Sequence, residues 1–278
     1  MIELEELEVG LEPLARASKD LREAAKLLTP SEVRCVVDLY YTSQKLRIRG
    51  GNQAEAMKAE PHALVGWVEA AFDRVETTIK TSMAIYTDTR RDGRWARSIR
   101  GIGPVLAAGL LAHIDISKAP TVGHIWRFAG LDPTVVWKKK QKRPWNADLK
   151  TLCWKVGQSF MKNRNRQGDV YGQFYESRKA LEVERNEAGT FAEQAKATLA
   201  AKDITKKDTL AWYKKGMLPP GRIELRAERY AAKLFLSHLH HVMYECHFGT
   251  APPKPFVIDS PKFPEHMHYV GPPNWPCD

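Results

Sequence analysis

The run Ile99-Arg100-Gly101-Ile102-Gly103-Pro104 holds residue types and spacing suited to binding a phosphate. Two glycines one residue apart let the backbone turn tightly and come close to an anion. Pro104 is preset for the first turn of a following helix. That helix start offers N–H groups and the positive end of a dipole to whatever docks there. Gly101, Ile102 and Gly103 are therefore read as presenting amides to a phosphate, at the turn of a helix-hairpin-helix. The same residues also suit a plain tight turn in a helical bundle.

Cations surround this turn. Arg90, Arg94 and Arg97 recur at helical spacing, with Arg91 and Arg100 beside them, so three guanidinium groups share one face if the segment is helical. Further on, Lys138, Lys139, Lys140, Lys142 and Arg143 lie between Trp137 and Trp145. The lysines and the arginine can neutralise phosphates, and the tryptophans can stack on bases or sugars. Pro144 and like-charge repulsion favour a loop or extended ribbon here. Lys162, Arg164 and Arg166 extend the basic zone. The alternatives are a solvated helix face for the arginines and an ordinary flexible loop for the lysines.

The elements that must position these groups read as helices. Thr29-Pro30-Ser31-Glu32 matches a capping box with proline at the first helical position, opening a helix that should stop at Gly50-Gly51. A second starts near Pro61 and carries a stripe of Leu64, Val68, Ala71, Phe72, Val75, Ile79 and Met83. That stripe packs on the chain's own core or forms a homo-oligomer seam along 64–83. Helices are expected over 104–113, 121–129, 147–162 (capped by Asn146), 169–200 and 222–247. No strand-rich block is visible, although 135–137 and 256–258 could be short extended pieces. The fold class is mainly α. Residues 1–95 form an N-terminal helical region, 96–249 a helical domain containing the hairpin, and 250–278 a Pro-rich tail.

Charge distribution narrows the partner. The 278 residues carry 43 Lys and Arg against 33 Asp and Glu, a net of +10. Between residues 86 and 166 there are 17 basic and 5 acidic residues, so the excess is concentrated there. A local basic zone in an otherwise near-neutral chain is the footprint of a polyanion. The four cysteines are widely spaced, which fits a reducing compartment rather than a disulfide scaffold. No apolar run approaches the roughly 20 residues of a membrane span. The N-terminus lacks a signal-peptide pattern. A cytoplasmic protein with no membrane partner is expected.

The pattern Ile-x-Gly-Ile-Gly-Pro-x-x-Ala-Ala-x-Leu-Leu-Ala from Ile99, followed by a helix ending Phe128-Ala129-Gly130-Leu131-Asp132-Pro133, resembles the C-terminal domain of the DEDD-type insertion-sequence transposases. These are also called bridge recombinases and include the Piv invertase group. The likeness continues loosely through 147–162 and 171–180, and 222–247 looks like the family's closing helix. The resemblance implies a nucleic-acid-binding scaffold from a mobile element or phage. Family members add a RuvC-like nuclease domain with four acidic metal ligands on a β-sheet, whereas residues 1–95 read as helices. They also place a nucleophilic serine shortly after Gly-Leu-x-Pro, where this chain has Trp137 and Lys138.

No catalytic residue is assigned. Ser159, Ser177 and Ser237 lie in expected helices without a recognisable His and Asp partnership. His238, His240, His241 and Cys246 lack the spacing of a metal motif, so no metal site or cofactor is expected. The leading reading is a nucleic-acid-binding protein, DNA before structured RNA, without recombinase catalysis. The alternatives are an active recombinase or nuclease with unplaced catalytic residues, and an oligomeric assembly protein.

Overall fold

The computed structural model describes residues 18–57, 63–138, 140–255 and 269–277. Lys139, the N-terminal stretch before Ser18, the helix start near Pro61 and the piece 256–258 lie outside the described residues. Among the described residues the chain is mainly α, with eleven α-helices and no strand. These are α1 (Lys19–Glu23), α2 (Pro30–Ala56), α3 (Ala63–Asp88), α4 (Arg91–Ser98), α5 (Pro104–His113), α6 (Val122–Phe128), α7 (Ala147–Asn163), α8 (Tyr171–Glu187), α9 (Ala192–Ala201), α10 (Lys207–Lys214) and α11 (Pro220–Phe248). They fall into two compact units. The first takes the described residues up to Arg97 together with Gly103–Asp115, and the second takes Ser98–Ile102 and the described residues between Ile116 and Cys277.

In the first unit, α2 and α3 pack along each other and both pack on α5. The Thr29 capping box forms: the Glu32 amide donates to Thr29 Oγ1, and the Thr29 amide donates to Glu32 Oε2 at 2.7 Å. Helix α2 runs on through Gly50-Gly51 to Ala56 instead of stopping there. A Cβ at Gly51 would lie 2.9 Å from the Glu69 carboxylate, so close packing on α3 outweighs the low helix propensity of glycine. Helix α5 is apolar on nearly every side and is buried accordingly, with Ala107, Ala108 and Leu110 fully enclosed. Arg34 on α2 caps its end by donating to the Ala112 carbonyl at 2.5 Å. Between α2 and α3, Arg47 grips the buried Glu76 carboxylate at 2.8 Å.

In the second unit, α11 packs on α7 and α8. Leu149, Leu152, Val156 and Phe160, spaced three and four apart along α7, are all buried. Phe160 stacks on Tyr171 with ring centres 4.7 Å apart, and Phe235 meets both rings edge-on. Gly157 brings α7 close to α11, since a Cβ there would sit 3.0 Å from the Glu228 carbonyl. The expected single helix over 169–200 is two, α8 and α9, separated at Gly189, whose φ of 79° belongs to the left-handed region. Phe191, Ala195, Tyr213, Leu218 and Ile223 form a separate apolar cluster. Tail residues 269–277 lie against α11. His238 bonds to the Val270 carbonyl (2.9 Å), and the Trp275 indole donates to Glu245 (2.6 Å).

Candidate nucleic-acid interface

The glycine turn is tightly held. Gly101 has φ 95°, a conformation that L side chains rarely adopt. Its carbonyl accepts a hydrogen bond from Ser159 Oγ at 2.6 Å, and Asn163 Nδ2 donates to the Ser159 carbonyl at 2.9 Å. The Ile102 amide donates to the Ile99 carbonyl at 3.0 Å, and both isoleucine side chains are buried. The Ile102 amide is thus spent inside the turn. Gly103 is the exposed N-cap residue of α5, Pro104 is the first helical residue, and Ala107 makes the first helical hydrogen bond back to Gly103. The helix start leaves the first-turn amides after Pro104 without intrahelical acceptors.

The arginines before the turn divide their work. Arg90 holds the buried Asp92 with two hydrogen bonds of 3.1 and 3.0 Å. Arg94 donates to the Asp88 carbonyl at 2.9 Å. Arg97 donates to the Ala84 carbonyl at 3.2 Å and pairs with the Asp88 carboxylate. Arg94 and Arg97 therefore both engage the C-terminal end of α3, whose carbonyls carry partial negative charge. Arg100 is exposed.

The described residues 131–138 and 140–146 are anchored at several points. The far end is tied by the Asn146 amide, which donates to the Phe128 carbonyl at 2.8 Å, and by the Asn146 side chain, which caps α7 through the Leu149 amide at 2.8 Å. Trp145 covers Gly130, where a Cβ would come within 2.7 Å of the indole. Trp137 meets Trp145 edge-on at 6.0 Å and donates its indole N–H to the Gln141 carbonyl at 2.8 Å. Arg143 lies 5.9 Å from the Trp137 ring and Lys150 lies 4.0 Å from the Trp145 ring. Around this aromatic pair Lys138, Lys140, Lys142 and Arg143 are exposed. Lys162 and Arg166 are also exposed, while Arg164 pairs with Glu176 at 2.8 Å.

Other groups with chemical potential have structural duties. His238 lies between the Tyr171 hydroxyl (2.7 Å) and the Val270 carbonyl, and His240 meets the Ala119 carbonyl at 2.8 Å. Burial pushes the His238 imidazole down to about 4 and lowers that of His240. Burial raises the Cys153 thiol to about 12, which keeps it protonated and inert. No group of three or more His, Cys, Asp or Glu side chains among the described residues is placed to hold a metal ion. No helix among the described residues is long and apolar enough to cross a membrane.

Sequence reading passed over Lys150, Arg229 and Lys233. Their signal was present: Arg222, Arg226, Arg229 and Lys233 recur at steps of four, three and four along α11. Lys233 sits 4.1 Å over the Trp126 ring, and the Trp126 indole donates to the Lys233 carbonyl at 3.2 Å.

Fold and site together define a mainly α-helical protein carrying exposed cations around an anchored tryptophan pair. Residues 94–168, about a quarter of the chain, match the family model of the IS116/IS110/IS902 transposases. The matched segment begins in α4 and runs through the glycine turn, α5, α6, the ribbon and α7. No curated protein and no solved structure matches the chain.

Proposed function

We propose that this chain is a nucleic-acid-binding protein, DNA favoured over structured RNA, built on a scaffold related to the C-terminal domain of bridge-recombinase transposases and acting without strand-transfer chemistry of its own. The observation that carries the reading is the ribbon: Lys138, Lys140, Lys142 and Arg143 exposed around a Trp137–Trp145 pair that is fixed to Gly130 and Gln141. A backbone tied through Trp137 and Asn146 loses less freedom on binding than an untethered loop, which favours binding to a sugar-phosphate strand. Lys139 extends the same run. The Gly101–Gly103 turn is read as the hairpin of a helix-hairpin-helix, with the exposed Arg100 beside it. Lys162 and Arg166 supply further charge. A cytosolic setting and a mobile-element or phage origin accompany this reading.

The non-catalytic part rests on residue types. Trp137 and Lys138 stand where a nucleophilic serine is expected from the resemblance, and the Ser159 hydroxyl is engaged by the Gly101 carbonyl. The test is equilibrium binding of a labelled DNA duplex across a salt series. Neutralising Lys138, Lys140, Lys142 and Arg143 together to alanine should weaken binding and flatten the log–log salt slope by roughly 3 to 4. An unchanged slope refutes the assignment.

A second reading, strand cleavage or joining, is favoured by the transposase match over 94–168. Incubation with supercoiled and branched DNA plus Mg²⁺ separates the two. Nicked or rejoined products support catalysis; intact DNA under conditions of full binding supports the leading reading.

A further inference from the structure

Beside the ribbon, Lys150 on α7 and Arg229 on α11 form no ion pair among the described residues. Burial lowers the Lys150 ammonium, and the charges of Arg229 and Arg143 lower it further. Burial likewise lowers Arg229, with Arg226 and Arg222 adding to the effect. Lys233 is lowered by burial and by Arg229, with only Asp132 opposing. Arg229 is exposed and Lys150 half-buried, and an anion placed between such like charges relieves their mutual repulsion.

Lys150 and Arg229 line a cleft of about 100 Å³ between α7 and α11, with Leu131, Trp154, Leu225 and Glu228. Trp154 is 53% exposed, a large indole left open to solvent beside two cations. Glu228 is 5% exposed; one carboxylate oxygen accepts from Gln158 at 2.6 Å and the other has no hydrogen-bond partner. The cleft is much smaller than the roughly 300–1,000 Å³ of a whole small-molecule site. It suits one ring edge of a larger ligand whose remainder is held elsewhere. An exposed indole face and two cations match the stacking face and the phosphate of a nucleotide.

We propose that this cleft is a subsite for one unpaired nucleotide of the bound strand, its base against Trp154 and its phosphate between Lys150 and Arg229. The assignment rests on the nucleic-acid reading above and adds to it a preference for strands with an unstacked base.

The test compares two labelled DNA duplexes, one fully paired and one with a single unpaired 2-aminopurine, in the full chain and in Trp154→Ala and Arg229→Gln variants. The full chain should bind the bulged duplex about tenfold tighter and quench the 2-aminopurine fluorescence. Trp154→Ala should abolish both the preference and the quenching while leaving paired-duplex affinity unchanged. Arg229→Gln should abolish the preference. Equal affinity for the two duplexes in the full chain, or a preference that survives Trp154→Ala, overturns the subsite and leaves the ribbon reading standing. Binding of neither duplex overturns both. Circular dichroism of each variant checks that the fold is retained; the exposed Trp154 is a mild site for truncation.

Discussion

Ser159 Oγ donates to the Gly101 carbonyl at 2.6 Å, across 58 residues of sequence. This bond seats the glycine turn on α7, and the left-handed Gly101 makes the close approach feasible. A Cβ at Gly101 would lie 3.2 Å from Ser159 Oγ and 3.4 Å from Phe160. Gly101→Ala should therefore cost about 1–3 kcal/mol through strain at positive φ. Ser159→Ala should cost about 1 kcal/mol, the net worth of one hydrogen bond. Urea denaturation of both variants checks the order. Equal stability of Gly101→Ala and the parent would contradict the geometry.

Gly130→Ala tests whether anchoring of the ribbon matters. The added methyl would come within 2.7 Å of Trp145 and would also sit at φ 65°. Trp145 must move, loosening the Trp137 contact that depends on it. Near-ultraviolet circular dichroism should change while helix content holds. Affinity for a DNA duplex should drop severalfold with all ribbon cations still present. Undiminished affinity would show that charge alone suffices.

His238 gives the fold a sensitivity to acid. Its folded-state value of about 4 lies below the ordinary 6.5, because burial disfavours the imidazolium. Between these values the unfolded chain binds a proton that the folded one does not. Stability from this group is thus complete above about pH 6.5 and is lost as pH falls toward 4. The loss is on the order of 3 kcal/mol. Denaturation midpoints at pH 7 and 4.5 should converge more closely in His238→Asn than in the parent. An identical pH dependence in the two would rule His238 out as the source.

Glu182 is fully buried and pairs with Arg178 and, at 2.5 Å, with Arg226. Burial alone pushes its carboxyl up, but the Arg226 hydrogen bond and the two guanidinium charges hold it below the usual range. Its contribution is therefore present above the ordinary carboxylate range and lost as pH falls through it. Glu182→Ala strands two partly buried cations and should cost about 3–5 kcal/mol. Thermal denaturation measures this. A near-neutral outcome would mean that solvent reaches Arg178 and Arg226 once the carboxylate is gone.

Much of the helical frame was legible in the residues themselves. The Thr29–Glu32 box and the Asn146 cap close over three residues, so local chemistry specifies them. The inward positions of α7 follow from a 3.6-residue period. Errors arose where packing overrode local preference. Helix α2 continues through Gly50-Gly51 because α3 lies against it. Conversely, 169–200 breaks at Gly189 although its composition favours a helix throughout.

For the candidate site, the sequence alone determined which residue types are available and where cations concentrate. It established the lysine run between two tryptophans and the glycine pair before Pro104. Which of these cations are engaged depends on how the helices meet. Arg94 and Arg97 are drawn to the end of α3, Arg226 to Glu182, while Lys138, Lys142 and Arg229 form no ion pair among the described residues. The reason is physical. Caps and periodicity act over a single helical turn, whereas the partner of a guanidinium is set by which helices meet, and those contacts join residues tens of positions apart.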